Sequence, residues 1–152
     1  MAAGTFTATD TPSPARLSTR GITVEKATFA WSTATPGSLS GSDIIFMMRL
    51  PNPCTVLDGY ITGQAPFTVQ TFKAGWGTAG GASTDADFHT GATISATPAL
   101  NRFNGSAMPI RVSASYDQTV WLYLTKGTTT SSTGTGTINF TVCVTYAADG
   151  VV

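Results

Sequence analysis

The feature that most constrains this chain is a strict alternation of apolar and polar residues near its end. Ile138, Phe140, Val142, Val144 and Tyr146 share one phase, and asparagine, threonine or cysteine stands between them. Successive side chains of a β-strand point to opposite faces of the sheet, so this period of two predicts a long antiparallel strand with one buried face. The rest of the chain must supply strands that pair with it.

The composition supports an all-β fold. The 152 residues include 28 threonines but only one glutamate and three lysines. Threonine is a good strand former and a poor helix former, whereas glutamate and lysine favour helices. A helical bundle is therefore excluded as the expected architecture.

Other segments predict further strands at short, regular spacing. They run from Ile22 to Ser32, Asp43 to Leu50, Cys54 to Thr62, Phe67 to Lys73, Ile110 to Tyr116 and Thr119 to Thr125. Ile22 and Val24 are out of phase with Phe29 and Trp31, which predicts a β-bulge near Lys26. Seven or eight short strands separated by turn signals are typical of a sandwich, and we predict a jelly-roll-like antiparallel β-sandwich.

Three segments fall outside these strands. Residues 1–20 are small, polar and interrupted by Pro12 and Pro14, which predicts an extended N-terminal arm. The sandwich domain is expected over residues 21–147 and a C-terminal tail over 148–152. The glycine-rich stretch from Ala74 to Gly105 is expected to be a long irregular excursion.

Charge and hydropathy exclude several classes of partner. Eight basic and eight acidic side chains give a formal net charge of zero, and charged residues make up 11% of the chain. A neutral surface offers no electrostatic attraction to nucleic acid or to an anionic membrane. The longest apolar run, Ile44 to Met48, is too short for a membrane span, and the first residues lack the pattern of a secretory signal. We therefore expect a cytoplasmic product, with Cys54 and Cys143 as buried thiols.

Few residues suit catalysis or metal binding. His89 and Glu25 are the only histidine and glutamate, and Cys143 has no basic residue nearby in sequence that would activate its thiol. Asp85, Asp87 and His89 are spaced as ligands for Ca²⁺ or Zn²⁺, but two carboxylates do not fill a calcium shell. We expect no enzyme activity, no metal and no cofactor.

Aromatic residues in the glycine-rich stretch leave a carbohydrate-binding module as an alternative. If exposed, Trp76, Phe88 and Phe103 would offer flat apolar surfaces on which a sugar ring can stack. The opposing interpretation is that they fill the end of the sandwich.

Two adjoining segments resemble small structural proteins of tailed bacteriophage virions. Gly41 to Pro51 resembles a strand that leads to a proline corner, and Cys54 to Gly59 resembles the Val-Leu-Asp-Gly strand that follows it. Downstream, Phe72 to Gly77 and Thr84 to Phe88 are similar to the glycine-rich, aspartate-containing loop of these proteins. Thr137 to Tyr146 is similar to their closing strand.

The resemblance implies a capsid decoration or cement protein that binds the outer surface of the major capsid protein shell and assembles as a homotrimer. It implies a place on the exterior of a virion that is assembled in the host cytoplasm. The arm is then expected to contact the capsid or neighbouring subunits through Phe6, Arg16, Leu17 and Arg20. A phage tail or head-fibre component is the alternative within virions.

Overall fold

The computed structural model describes residues 5–7, 17–19, 21–32, 43–64, 70–78, 81–105, 108–115, 118–126 and 137–148. These residues form eleven strands and no helix, which confirms the all-β prediction. The strands are β1 (Thr5–Thr7), β2 (Leu17–Thr19), β3 (Ile22–Ser32), β4 (Ile44–Leu50), β5 (Cys54–Gln64), β6 (Gln70–Thr78), β7 (Gly81–Ile94), β8 (Ala99–Arg102), β9 (Ile110–Val112), β10 (Val120–Lys126) and β11 (Thr137–Ala148).

The strands form two sheets that pack face to face. Sheet I has the order β1-β4-β10-β6-β7; sheet II has the order β2-β3-β11-β5-β8, and β9 also pairs with β5. From β3 onwards the antiparallel pairs are nested: β3 with β11, β4 with β10, β5 with β8 and β9, and β6 with β7. Folding such a nested hairpin over on itself gives a jelly roll, so the predicted architecture is confirmed.

The core lies between the sheets and is centred on β11. Its residues alternate between buried and more exposed along the strand, and β3 and β5 pair with it on either side. Phe140 of β11 meets Phe72 of β6 edge to face, with ring centroids 4.6 Å apart. Such a pair stabilises by about 1 kcal/mol beyond the area that it buries. The alternation in the sequence therefore identified the strand of sheet II whose buried face packs against sheet I.

The predicted bulge near Lys26 is wrong. β3 pairs with β11 in one continuous register from Ser32 opposite Thr137 to Ile22 opposite Ala147. The apolar phase changes because Ile22 and Val24 lie on the outward face of sheet II, not because the strand is irregular. The core side at this end is polar instead, where the Tyr146 hydroxyl donates a 3.0 Å hydrogen bond to Glu25.

β4 is buried on both faces, as its sequence predicts. Ile45 and Met48 belong to the core, whereas Phe46 lies on the outward face of sheet I beside Tyr123 and Trp121. The Phe46 ring centroid is 6.3 Å from that of Tyr123 and 5.4 Å from that of Trp121. Sheet I thus has a second, smaller aromatic cluster on the face directed away from the core.

The expected irregular excursion from Ala74 to Gly105 is wrong. β6 continues to Thr78, and β7 and β8 occupy most of the remainder. Gly75 and Gly77 lie directly opposite Tyr123 and Trp121 on β10, and both glycines are buried. A large ring that covers a facing glycine compensates for the missing side chain, so these glycines are compatible with a central strand.

Two short strands from the first twenty residues lie at the edges of the sheets. β1 pairs in parallel with β4, with Phe6 opposite Ile45, and β2 pairs antiparallel with β3, with Leu17 opposite Val24. The other residues of the predicted arm lie outside the described residues. β11 extends to Ala148, and residues 149–152 of the predicted tail are likewise outside them.

Gly59 provides a direct test of this packing. A Cβ atom at Gly59 would overlap the Phe103 ring and lie 2.7 Å from the Cys143 carbonyl oxygen, whereas a Cβ at Gly91 would meet nothing within 4 Å. Overpacking costs about 1–3 kcal/mol, so we expect Gly59→Ala to lower the thermal midpoint by about 3–10 °C. The control Gly91→Ala should change it little. Equal midpoints for the two variants by calorimetry would contradict this packing.

Candidate interaction face

The residues considered for metal binding have other roles. The Asp87 carboxylate accepts a 3.1 Å hydrogen bond from the Trp76 indole N–H, and His89 Nδ1 accepts a 2.9 Å bond from the Gly91 N–H. Among the described residues there is no group of three or more histidine, cysteine or acidic side chains that could hold a metal ion. The Asp85 side chain lies outside the described residues.

The two cysteines are free thiols in different environments. Cys54 is buried in the core, as predicted, but Cys143 is only half-buried. Cys143 lies on the outward face of sheet II, opposite Tyr60 on one side and Lys26 on the other. His89 is in the other sheet, opposite Ala74 on β6. The structure therefore does not bring Cys143 and His89 together as a nucleophile and its base.

The aromatic residues considered for a sugar platform pack into the sandwich, as the opposing interpretation predicts. Phe88 is fully buried and Phe103 nearly so, and their rings stack 5.3 Å apart at an interplanar angle of 9°. Trp76 packs against the core. The Phe88 and Phe103 rings join β7 of sheet I to the segment after β8 of sheet II, so they close one side of the sandwich and are not available to stack on a sugar.

A lysine and an aspartate are buried near one end of sheet I. Lys126 ends β10 and Asp43 directly precedes β4, and both are almost inaccessible to solvent. Burial lowers the pKa of Lys126, and the negative charge of Asp43 partly opposes this change. Sequence reasoning missed the pair because it depends on the register of β10 with β4, in which Thr125 lies opposite Ile44.

The outward face of sheet II is the candidate surface for binding another protein. Cross-strand register aligns its side chains in rows across β8, β5, β11 and β3. One row consists of Arg102, Tyr60, Cys143 and Lys26, and the next consists of Leu100, Thr62, Thr141 and Thr28. We call this surface the outward face of sheet II; its threonines offer hydroxyl groups without the desolvation cost of a charge.

This face also carries the exposed apolar side chains. Leu100, Ile22 and Val24 are 63%, 42% and 37% exposed, and they are the large hydrophobic residues exposed within the described part of the chain. Leu100 is held in place by its neighbour Asn101, which accepts a hydrogen bond from the Thr93 N–H and donates one to the Thr93 carbonyl. Leu100 lies on β8 and Ile22 and Val24 lie on β3, with β5 and β11 between them, so this face carries apolar side chains near both of its sides.

Three ionisable residues of this face, Arg102, Asp58 and Tyr60, interact with their neighbours. The Arg102 guanidinium forms a salt bridge with Asp58, and the Gly59 N–H donates a 2.8 Å hydrogen bond to the same carboxylate. Partial burial acts to raise the pKa of Asp58, but these bonds and the Arg102 charge outweigh it and lower the pKa overall. A hydrogen bond with Cys143, the electrostatic interaction with that side chain and partial burial raise the pKa of Tyr60.

The residues predicted to contact the capsid are only partly described. Phe6 and Leu17 lie in β1 and β2 at neighbouring edges of the sandwich, and their side chains are outside the described residues, as are Arg16 and Arg20 altogether. Leu17 is opposite Val24, so the register connects the arm to the outward face of sheet II. The sequence did not identify Leu100, which falls in the stretch expected to be irregular.

Comparison with known proteins shows two phage capsids that contain a similar fold. A chain of the "Cyanophage Pam1 capsid asymmetric unit" is 16% identical with a TM-score of 0.58, and the match covers 89% of this chain and 94% of that chain. A chain of the "Capsid of Ralstonia phage GP4" is 12% identical with a TM-score of 0.66, and the match covers 95% and 98%. What they share is the fold.

Sequence comparisons give no such match. No protein-family model and no curated protein matches the chain. In the described ranges no helix is long and apolar enough to cross a membrane.

His89 predicts a pH dependence of stability. Burial lowers the pKa of His89 in the folded protein, whereas the unfolded chain titrates near the ordinary value of about 6.5. The stabilisation from neutral His89 is thus complete above pH ~6.5 and is lost as the pH falls through the folded pKa, because the unfolded state binds the proton first.

The variant His89→Asn retains an acceptor for the Gly91 N–H but cannot titrate. In urea unfolding at pH 7.5, 6.5 and 5.5, we expect the free energy of unfolding to fall more steeply for the wild type than for this variant. Parallel pH profiles would exclude His89 as the cause.

Proposed function

We propose that this protein is a bacteriophage virion structural protein that decorates and cements the capsid by binding the outer surface of the major capsid protein shell. The observation that carries the proposal is the fold, which matches chains of two phage capsid structures over at least 94% of the length of those chains. The resemblance in the strand segments from Gly41 to Pro51 and from Cys54 to Gly59 supports the same conclusion. The protein acts by binding and catalyses no reaction.

Cementing follows from mass action. A protein that binds the assembled shell but not its dissociated subunits stabilises the shell by RT ln(1 + [L]/Kd), which is about 2.7 kcal/mol for each site when the free protein is at 100 times Kd. Zero net charge reduces repulsion between neighbouring copies, which suits a subunit of a lattice. The protein is then located on the exterior of the virion, and the virion is assembled in the host cytoplasm.

The outward face of sheet II is the surface that we assign to the shell. It combines exposed Leu100, Ile22 and Val24 with rows of threonine, and its Asp58 and Arg102 charges are paired with each other. Covering hydroxyl groups and a paired aspartate and arginine costs less desolvation energy than covering unpaired charges, which favours this face as an interface. The outward face of sheet I differs, because its Phe46 and Tyr123 rings are already buried.

The arm has a second role in the proposed assembly. Phe6 and Leu17 serve as apolar anchors and Arg16 and Arg20 as polar contacts to the shell or to neighbouring subunits of a homotrimer. Position supports this role, since β1 lies at the edge of sheet I beside β4 and β2 lies at the edge of sheet II, where Leu17 is opposite Val24.

Binding to capsids of the parent phage that lack this protein tests the proposal. We expect Leu100→Glu and Val24→Glu each to weaken capsid binding at least tenfold in co-sedimentation, because each buries a carboxylate without a partner. The matched control is Thr90→Glu, an exposed threonine of β7 in sheet I. Unfolding midpoints of all three variants should stay close to that of the wild type.

Two results would count against this assignment. Equal binding by all variants would remove the outward face of sheet II from the interface. Absence of the wild-type protein from the capsid surface in electron micrographs of the parent phage would reject decoration, and density on the tail or on head fibres would favour those components instead.

A further inference from the structure

Among the described residues, the edge of β4 in sheet I is paired over only part of its length. β10 pairs with one side of β4 from Ile44 to Leu50, whereas β1 pairs with the other side only from Ile44 to Phe46. In the described part of the chain no strand pairs with that side from Met47 to Leu50. β4 is apolar on both faces, and an apolar strand with an open edge readily accepts a strand from another chain.

β2 is tied to its own sandwich. Thr19 is opposite Ile22, and only Arg20 and Gly21 separate them in the sequence, so β2 and β3 form a tight hairpin. Gly21 has a φ angle of +79°, which glycine adopts without steric cost. The chain is thereby fixed to its own body as far as Leu17.

β1 is joined to this anchor by a connection of nine residues. Residues 8–16 separate Thr7 from Leu17, and nine residues span up to about 30 Å when extended. β3 and β4 contact each other across the sandwich, where facing sheets are about 10 Å apart. This reach is about three times the separation of the sheets, so the connection permits β1 to pair with β4 of its own chain or with the β4 edge of an adjacent molecule.

We propose that β1 is exchanged between copies, so that β1 of one subunit pairs with β4 of the next in the assembled oligomer. This inference rests on the proposed oligomer of decoration subunits. Exchange keeps the whole register of Thr5 to Thr7 on Ile44 to Phe46, because the acceptor in each copy is identical. It converts a contact within one chain into a link between chains, and a cyclic oligomer satisfies every β4 edge with one β1.

Disulfide mapping tests the exchange. Directly opposed residues on neighbouring strands are about 4.8 Å apart, which is within the Cα separation that a disulfide spans. Thr5→Cys and Ile44→Cys are therefore introduced together, because these two residues are opposite each other. Cys143→Ser removes the half-buried thiol. After mild oxidation, we expect most chains to run as covalent dimers and higher species on a denaturing, non-reducing gel. In addition, a mixture of Thr5→Cys chains with Ile44→Cys chains should form mixed dimers.

The matched control is Thr19→Cys with Ile22→Cys in the β2–β3 hairpin. This pair must close within one chain, so its gel should show monomers and its single-cysteine mixture no mixed dimer. Both reactions are run on protein in solution and on protein bound to capsids.

Monomer bands for the Thr5 and Ile44 pair in both settings, with no mixed dimers, would overturn the exchange. Capsid binding is measured separately by co-sedimentation. The exchange can therefore fail while decoration stands, or be found in solution while decoration fails.

Discussion

The packing of β11 between β3 and β5, with Phe140 against Phe72 of the facing sheet, is the contact on which the rest of the structure depends. β11 pairs along most of its length on both sides, so it fixes the register of sheet II. Its apolar face sets the separation from sheet I. Gly63 lies opposite Phe140, and a Cβ atom at Gly63 would lie 2.6 Å from the Asn139 carbonyl oxygen. The close packing against β11 therefore leaves no space for a side chain at this position.

Sequence periodicity predicted the strands in which one face is buried and the other is polar. β11 and the range of β3 were found in this way, and so was β4, because a short apolar run bounded by turn signals is typical of a strand covered on both faces. The jelly-roll prediction followed from their number and spacing. These features are local in sequence, so the sequence alone contains them.

The errors arose where long-range pairing overrides local preference. Glycine is typical of loops, so the sequence around Gly75 and Gly77 predicted irregular structure. The aromatic residues that cover these glycines belong to β10, more than forty residues later in the chain. For the same reason the sequence left open whether Trp76, Phe88 and Phe103 are exposed or fill the end of the sandwich. Ile22 and Val24 suggested a bulge because the sequence does not distinguish a shifted register from apolar residues on an outward face. Leu100 on the same face was missed because its strand was missed.

The nested pairing has a further consequence for how the chain could be rearranged. Ile22 enters the sandwich directly opposite Ala147, so the first and last strands of the domain run side by side. A circular permutant that joined these two points and opened the chain at a connection elsewhere would keep all the strand pairs of the jelly roll. The arm would then no longer lead into β3. The order of the strands along the chain would change, whereas the fold that they form would stay the same.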